Sequence, residues 1–260
     1  MRVAAYAKIN WSLRITGRRE DGFHDLETVF QAITLHDTLT FREAERLSLT
    51  CDDPTIPTDD TNLVLRAARA LGAPPVSISL EKRIPAGGGL GGGSSNAAAT
   101  LVALSSMFGI QKPLHDLALG LGSDVPFFLV GGTAYATGRG EILTPISSPS
   151  TPLPLLLVLP EERVMTAEAF RMLRRFSPPL GLERMRALRF EDYTNDFEEP
   201  VFERLPRLRA FKMRLLEAGA TWASMTGSGS TIVGAFASGT ARDAAMAAFS
   251  DVRVVAASSA

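Results

Sequence analysis

Pro85-Ala-Gly-Gly-Gly-Leu-Gly-Gly-Gly-Ser-Ser-Asn-Ala-Ala98 packs six glycines between Gly87 and Gly93. Upstream, Val76, Ile78 and Leu80 alternate with Ser77, Ser79 and Glu81, the period of a half-buried strand. Downstream, Ser94 to Phe108 is rich in small residues and stops at Gly109, which predicts a helix. A strand that feeds through side-chain-free backbone into a helix start makes an anion site. Glycines let N–H groups approach the anion, and the helix start adds unpaired donors and the positive end of its dipole. The bland alternative, a hinge before a packed helix, leaves the ordering entropy of six glycines uncompensated. Phosphate binding is therefore the expectation for Pro85, Ala86, Gly87, Gly88, Gly89, Leu90, Gly91, Gly92, Gly93, Ser94 and Ser95.

Two familiar phosphate loops fail on inspection. A Walker loop requires Lys followed by Ser or Thr after its last Gly, and here Ser94-Ser95 stands in that place. Gly87, Gly89 and Gly92 have the dinucleotide-binding spacing, but that fingerprint expects a strand ending in an acid about 20 residues on. Asp116 falls in an expected helix, Leu114 to Leu121, with no strand between.

Outward from the loop, residues 5–15 alternate. Ile9, Trp11, Leu13 and Ile15 share one face, and Lys8, Asn10, Ser12 and Arg14 share the other, which by default is solvated. Asp21-Gly22 is a turn signal, so this strand and the apolar segment Leu26 to Leu35 predict a hairpin with Phe23 and His24 in its loop. Thr61 to Leu71 predicts a helix capped by Asp59, Asp60 or Thr61 and stopped at Gly72. Pro145, Pro149, Pro152 and Pro154 mark the expected boundary between two α+β halves, 1–147 and 148–260. In the second half, Leu155 to Leu159, Trp222 to Met225 and Thr231 to Phe236 read as strands. Ala167 to Phe176, Leu205 to Ala218 and Ala241 to Phe249 read as helices.

The 260 residues carry 27 basic and 28 acidic side chains, and a net charge of −1 argues against a nucleic-acid partner. A hydrophobic fraction of 45% and a charged fraction of 21% are those of a folded globular chain. Cys51 is the single cysteine and suits a reducing, cytoplasmic setting. Cys51, His24, His36 and His115 show no metal-ligand spacing, so no protein metal site is expected. No apolar run approaches the ~20 residues of a membrane span, and residues 1–8 have no signal-peptide core.

The glycine segment resembles the phosphate loop of the GHMP kinases. Ala7-Lys-Ile-Asn10, Gly17-Arg-Arg-Glu-Asp-Gly-Phe-His24, Leu121-Gly-Ser-Asp-Val-Pro-Phe-Phe128, Asn195-Asp196 and Met225-Thr-Gly-Ser-Gly-Ser230 follow the same superfamily in order. Lys-Ile-Asn and Asp-Gly-Phe-His single out its 4-diphosphocytidyl-2-C-methyl-D-erythritol kinases. The resemblance spans nearly the whole chain, with the last 20 residues matching loosely. It implies an α+β fold of two domains: an N-terminal one like ribosomal protein S5 domain 2 and a ferredoxin-like C-terminal one, with the active site in the cleft. The activity implied is transfer of the ATP γ-phosphate, with Mg²⁺, to the 2-hydroxyl of the cytidyl-diphospho substrate. The chain would be a monomer or a weak homodimer.

Residue by residue, the resemblance makes Asp124 the catalytic carboxylate, positioned to take the hydroxyl proton. Lys8 would orient Asp124 and stabilise developing charge. Asn10 would bind substrate, Phe23 would stack on the cytosine, and His24 would hydrogen-bond its edge. Tyr is commoner at position 23, and Phe keeps the stacking face without the hydroxyl. Phe30 is a weaker candidate for a wall of that cytosine pocket and reads first as core. Asn195-Asp196 reads as a helix cap, Gly138-Arg-Gly-Glu141 as a loop, and Met225 to Ser230 as a turn beside the phosphate loop. The rival readings are a sibling kinase acting on homoserine, mevalonate or a sugar, a non-catalytic nucleotide-binding regulator, and an RNA-binding module. The first lacks a use for Asp21-Gly-Phe-His24, the second for Lys8 and Asp124, and the third lacks a basic surplus.

Overall fold

The computed structural model describes residues 1–147 and 151–260. Strands β1 (Arg2–Arg18) and β2 (His24–Glu43) pair as a long hairpin. Next come β3 (Ser48–Cys51), α1 (Leu63–Leu71), β4 (Val76–Glu81), α2 (Gly92–Phe108), α3 (Leu114–Leu121), α4 (Phe127–Val130), β5 (Thr133–Thr137) and β6 (Ile142–Ile146). The remainder is β7 (Pro154–Leu159), α5 (Thr166–Met172), α6 (Leu182–Ala187), α7 (Glu198–Arg204), α8 (Pro206–Glu217), β8 (Trp222–Met225), β9 (Ile232–Ala235), α9 (Gly239–Ala245) and β10 (Arg253–Ser258). The mixture is α+β, as expected.

Packing divides the chain into two compact units that are not simple halves. Met1–Lys8, Leu35–Ala86 and Gly91–Gly131 form one; Ile9–Thr34, Gly87–Leu90 and Gly132–Ala260 form the other. β1 and β2 therefore run through both. Pro149 and the first residue of the expected second half lie outside the described residues, while Pro145 sits inside β6 and Pro154 opens β7.

In the first unit, the far half of β2 pairs antiparallel with β4, and β3 pairs parallel with β4. Helices α1, α2 and α3 pack on one another over a core that includes Leu39, Phe41, Leu71, Ile78, Leu101 and Leu104. The cap of α1 is Asn62, one residue beyond the expected candidates; its side chain accepts from Val64 N, and Gly72 ends the helix at φ +71°. Asp59 instead turns the chain just before it, accepting from Thr61 N.

In the second unit, the near half of β2 pairs with β5 and β5 with β6. A separate antiparallel sheet has the order β10-β7-β9-β8. Strands in that order, with helices between the first and second and between the third and fourth, give the ferredoxin-like arrangement the resemblance implies. Helix α8 lies so close to β9 that a Cβ on Gly234 would come 2.9 Å from Leu215 Cδ2. Phe202, Leu208, Phe211, Ile232 and Phe236 share this unit's core.

Three expected elements change. The helix expected over 167–176 ends at Met172, and Ala241 to Phe249 is α9 followed by a 3₁₀ turn, Met246–Phe249. β1 is buried on both faces in its middle: Lys8, Asn10 and Ser12 are as enclosed as Ile9 and Trp11. Its second edge is covered segment by segment. Tyr6 O accepts from Ser95 Oγ, Leu13 exchanges backbone bonds with Thr194 and Asp196, and Ile15 O accepts from Ser177 N. Among the described residues no helix is long and apolar enough to cross a membrane.

Candidate active site

The glycine segment is anchored on both sides by one carboxylate that the sequence reading missed. Asp37 is fully buried on β2, and its Oδ1 accepts from Arg83 N (2.7 Å) and Ile84 N (2.8 Å). Its Oδ2 accepts from Lys82 Nζ (2.8 Å) and from Asn96 Nδ2 (3.0 Å) on α2. A buried charge needs such a full set of partners. The available signal was Asp37 as the lone acidic residue in the stretch Thr28 to Phe41.

Helix α2 begins at Gly92, two residues before the expected Ser94, with Gly91 as N-cap at φ +70°. The first helical bond runs from Ser95 N to Gly91 O, so the N–H groups of the opening turn point out of the helix end. Gly91 is required by contact as well as by conformation. A Cβ there would fall 2.7 Å from Phe128 Cζ and 3.2 Å from Lys8 Cγ. The helix start thus packs against the stem of Lys8. Ser95 is buried with its hydroxyl donated to Tyr6 O (2.6 Å), whereas Ser94 is partly open.

Lys8, on β1, is buried, and its Nζ lies 3.5 Å from Asp124 Oδ2. Asp124 sits in the turn ahead of α4 with its side chain 37% exposed. One partner is therefore held by the sheet and the other faces outward, a cation fixed beside an accessible carboxylate. Lys8, Asp124 and Gly91 to Ser95 belong to the same unit.

Gly87 to Leu90 belong to the other unit, where they rest on the turn after β8. A Cβ on Gly89 would overlap the Thr226 carbonyl, and Gly89 needs φ +77°. Thr231 N donates to Gly88 O at 3.4 Å. The turn expected beside the phosphate loop does lie against it.

Asn10 is enclosed, and its amide is engaged inside the protein. Nδ2 donates to Thr28 Oγ1 (2.7 Å), and Oδ1 accepts from Gly227 N (3.0 Å). Its backbone N donates to Thr226 Oγ1 (3.0 Å). This geometry ties β1 to the turn that carries Gly89.

The hairpin tip bears Phe23 and His24 as expected. Phe23 is 49% exposed, and the Arg139 guanidinium lies 4.4 Å over its ring. Arg139 belongs to the loop Gly138 to Glu141, so that loop reaches the tip. His24 stacks on Phe170 at 4.4 Å and 16° and meets Phe176 at 6.0 Å. Burial, and then the nearby Arg18, lower the His24 pKa from its ordinary 6.5, leaving the imidazole neutral at pH 7. Phe170 was read only as part of a helix; nothing in its local pattern points to the tip. Phe30 is core.

Glu27, three residues further along β2, pins the chain just ahead of α6. It accepts from Tyr135 Oη (2.7 Å), Leu180 N (2.7 Å) and Gly181 N (2.9 Å). Burial pushes its carboxyl up, but those hydrogen bonds outweigh it and hold the pKa below the ordinary value. Tyr135 is pushed upward by burial and by Glu27.

Residues 62–132 match the GHMP kinases N terminal domain and residues 180–253 the GHMP kinases C terminal domain. A 4-diphosphocytidyl-2-C-methyl-D-erythritol kinase of Chlorobium phaeobacteroides is 44% identical over 90% of this chain and 88% of its own length. The same holds for the enzyme so named from Chlorobium luteolum. A crystal structure of a 4-(cytidine 5'-diphospho)-2C-methyl-D-erythritol kinase superposes with a TM-score of 0.86 at 38% identity, covering 99% of this chain and 98% of that one. A homoserine kinase from Cytophaga hutchinsonii, with a TM-score of 0.71 at 20% identity over 100% of this chain and 94% of that one, shares the fold. This chain is a GHMP kinase and belongs to the 4-diphosphocytidyl-2-C-methyl-D-erythritol kinase family.

Proposed function

We propose that this chain transfers the γ-phosphate of ATP to the 2-hydroxyl of 4-(cytidine 5'-diphospho)-2-C-methyl-D-erythritol. The observation that carries the reading is the packing of the glycine-capped start of α2 against Lys8, which is itself paired with Asp124. Outward N–H groups, a fixed cation and an accessible carboxylate are what phosphoryl transfer to an alcohol uses. Phosphoryl transfer passes through a loose transition state and gains mainly from positioning and electrostatics.

In this reading, Gly87 to Ser95 cradle the nucleotide phosphates through backbone N–H groups. Asp124 accepts the proton of the 2-hydroxyl as the oxygen attacks. Lys8 holds Asp124 in place and balances charge that builds on the transferred group. Phe23 offers its ring to the cytosine, and neutral His24 offers a ring nitrogen to the base edge. Asn10 acts through the turn it holds. The family matches fall on either side of residue 147, which supports an N-terminal domain over 1–147 and a C-terminal one over 148–260.

Mg²⁺ would accompany the ATP. Among the described residues no three His, Cys, Asp or Glu side chains cluster as a metal site. In this reading the ion is carried on phosphate oxygens and water. Ser95 donates its hydroxyl to Tyr6 O, so of the two serines Ser94 is the one that would hold the ion. When bound, the ion neutralises phosphate charge. The lone Cys51 supports a cytoplasmic setting.

The test is ³¹P NMR of the product formed from ATP and the cytidyl-diphospho substrate. A new phosphomonoester on carbon 2 is expected. A phosphate on another hydroxyl, or none, contradicts the reading.

A further inference from the structure

Asn195 was expected to be a helix cap, and one of its contacts suits that role: Oδ1 accepts from Phe197 N at 2.9 Å. Its amide donors do something else. Nδ2 donates to Met225 O (2.7 Å) and to Gly227 O (2.8 Å), carbonyls about 30 residues away at the end of β8 and on the turn that follows it. The residue is 4% exposed. Capping needs only the oxygen; two buried donors aimed at a distant turn serve that turn.

The flanking residues secure the same joint. Asp196 N donates to Leu13 O (2.9 Å) and Asp196 Oδ2 accepts from Ile15 N (2.7 Å), fixing the segment to β1. Glu198 Oε1 accepts from Met225 N (2.8 Å) and Ser224 Oγ (2.8 Å). From the other side, Asn10 takes the Gly227 N–H. Both polar groups of the Gly227 backbone are therefore held, N–H by Asn10 and C=O by Asn195. This held turn is what Gly89 touches. A Cβ on Gly227 would lie 3.1 Å from Gly89 O, and one on Gly89 would overlap Thr226 O.

We propose that Asn195 is a positioning residue for the nucleotide: by clamping the Met225 and Gly227 carbonyls it fixes the turn that sets the path of the glycine loop at Gly89. The inference rests on the reading of that loop as the ATP site. The amide is specific to the task because it gives two N–H bonds and accepts a third. A carboxylate of the same shape would instead present oxygen to two carbonyl oxygens.

The test measures binding of the β,γ-imido analogue of ATP, with Mg²⁺, by calorimetry for the wild type, Asn195→Asp and Asn195→Ala, together with KM for both substrates and a circular dichroism spectrum. Loss of two buried hydrogen bonds from the turn is expected to raise Kd for the analogue and KM for ATP about ten-fold. KM for the cytidyl-diphospho substrate should stay within about two-fold, because Asn195 makes no contact at the hairpin tip. Folded variants that bind the analogue as the wild type does overturn the proposal. So does failure of both variants to fold, which assigns Asn195 a purely structural role. A wild type that does not bind the analogue overturns the glycine-loop reading itself, and that outcome is visible before any variant is compared.

Discussion

At the residue scale, the proposed mechanism has Lys8 and Asp124 divide one task by their surroundings. Lys8 is enclosed by β1 and the start of α2, so its ammonium has a fixed position; Asp124 remains open to a substrate. Asp124→Asn keeps the shape but cannot take a proton, and kcat is expected to fall about 10²- to 10⁴-fold. Near-normal turnover would exclude the general-base role. His24 supplies a pH test. Its folded pKa lies below the ordinary 6.5, so on acidification the unfolded chain takes up the proton first. The stabilisation is complete above the unfolded value and is lost as pH falls below it. Wild-type Tm should therefore drop more between pH 7.5 and 5.5 than that of His24→Phe; equal drops contradict the assignment. The roles proposed for Lys8 and Asp124 come only from the family motifs, since alternation alone marks Lys8 as a solvated face residue. Asn195 and Asp37 stayed hidden because their partners are remote in sequence, on the turn after β8 and around Lys82 to Asn96.

At the element scale, the glycine loop is a strand-to-helix connection held from two directions, by Asp37 before and after it and by the turn at Gly89. The glycines are consequently unequal. Gly87 has φ +74° and open space for a Cβ, whereas Gly89 has neither a tolerant conformation nor room. Gly87→Ala should carry only left-handed strain of about 1 kcal/mol, while Gly89→Ala must displace backbone and should weaken ATP binding at least about ten-fold. Similar ATP affinities in the two variants would contradict this account of the loop. Strands β4, β7, β8 and β9 and helices α1, α2, α3 and α8 were legible from periodicity and glycine stops. The start of α2 was misplaced because its cap is Gly91 and not a serine. β6 was hidden by Pro145, read as a breaker, although among the described residues the strand pairs only with β5, as an edge strand that tolerates proline. β3 is too short to show a period.

At the scale of the whole molecule, each unit has its own core, and β1 and β2 thread both. A division along the sequence was the only one composition could suggest, because Pro-rich segments mark breaks in chain order and carry no information on which strands return to which sheet. Each core should be sensitive in its own right. Leu101→Ala on α2 and Leu208→Ala on α8 replace fully buried side chains and should each cost about 2–5 kcal/mol, measured by denaturant unfolding; losses under about 1 kcal/mol would mean the sites repack freely. The near-neutral chain charge fits a kinase of small-molecule substrates. The account as a whole turns on the acceptor, since the fold is shared with kinases for substrates that have no base to stack. The most direct measurement is ADP release from ATP with, in separate reactions, 4-(cytidine 5'-diphospho)-2-C-methyl-D-erythritol, homoserine and mevalonate. Turnover with the cytidyl-diphospho substrate alone is the predicted result; turnover with homoserine or mevalonate and none with the cytidyl-diphospho substrate would contradict it.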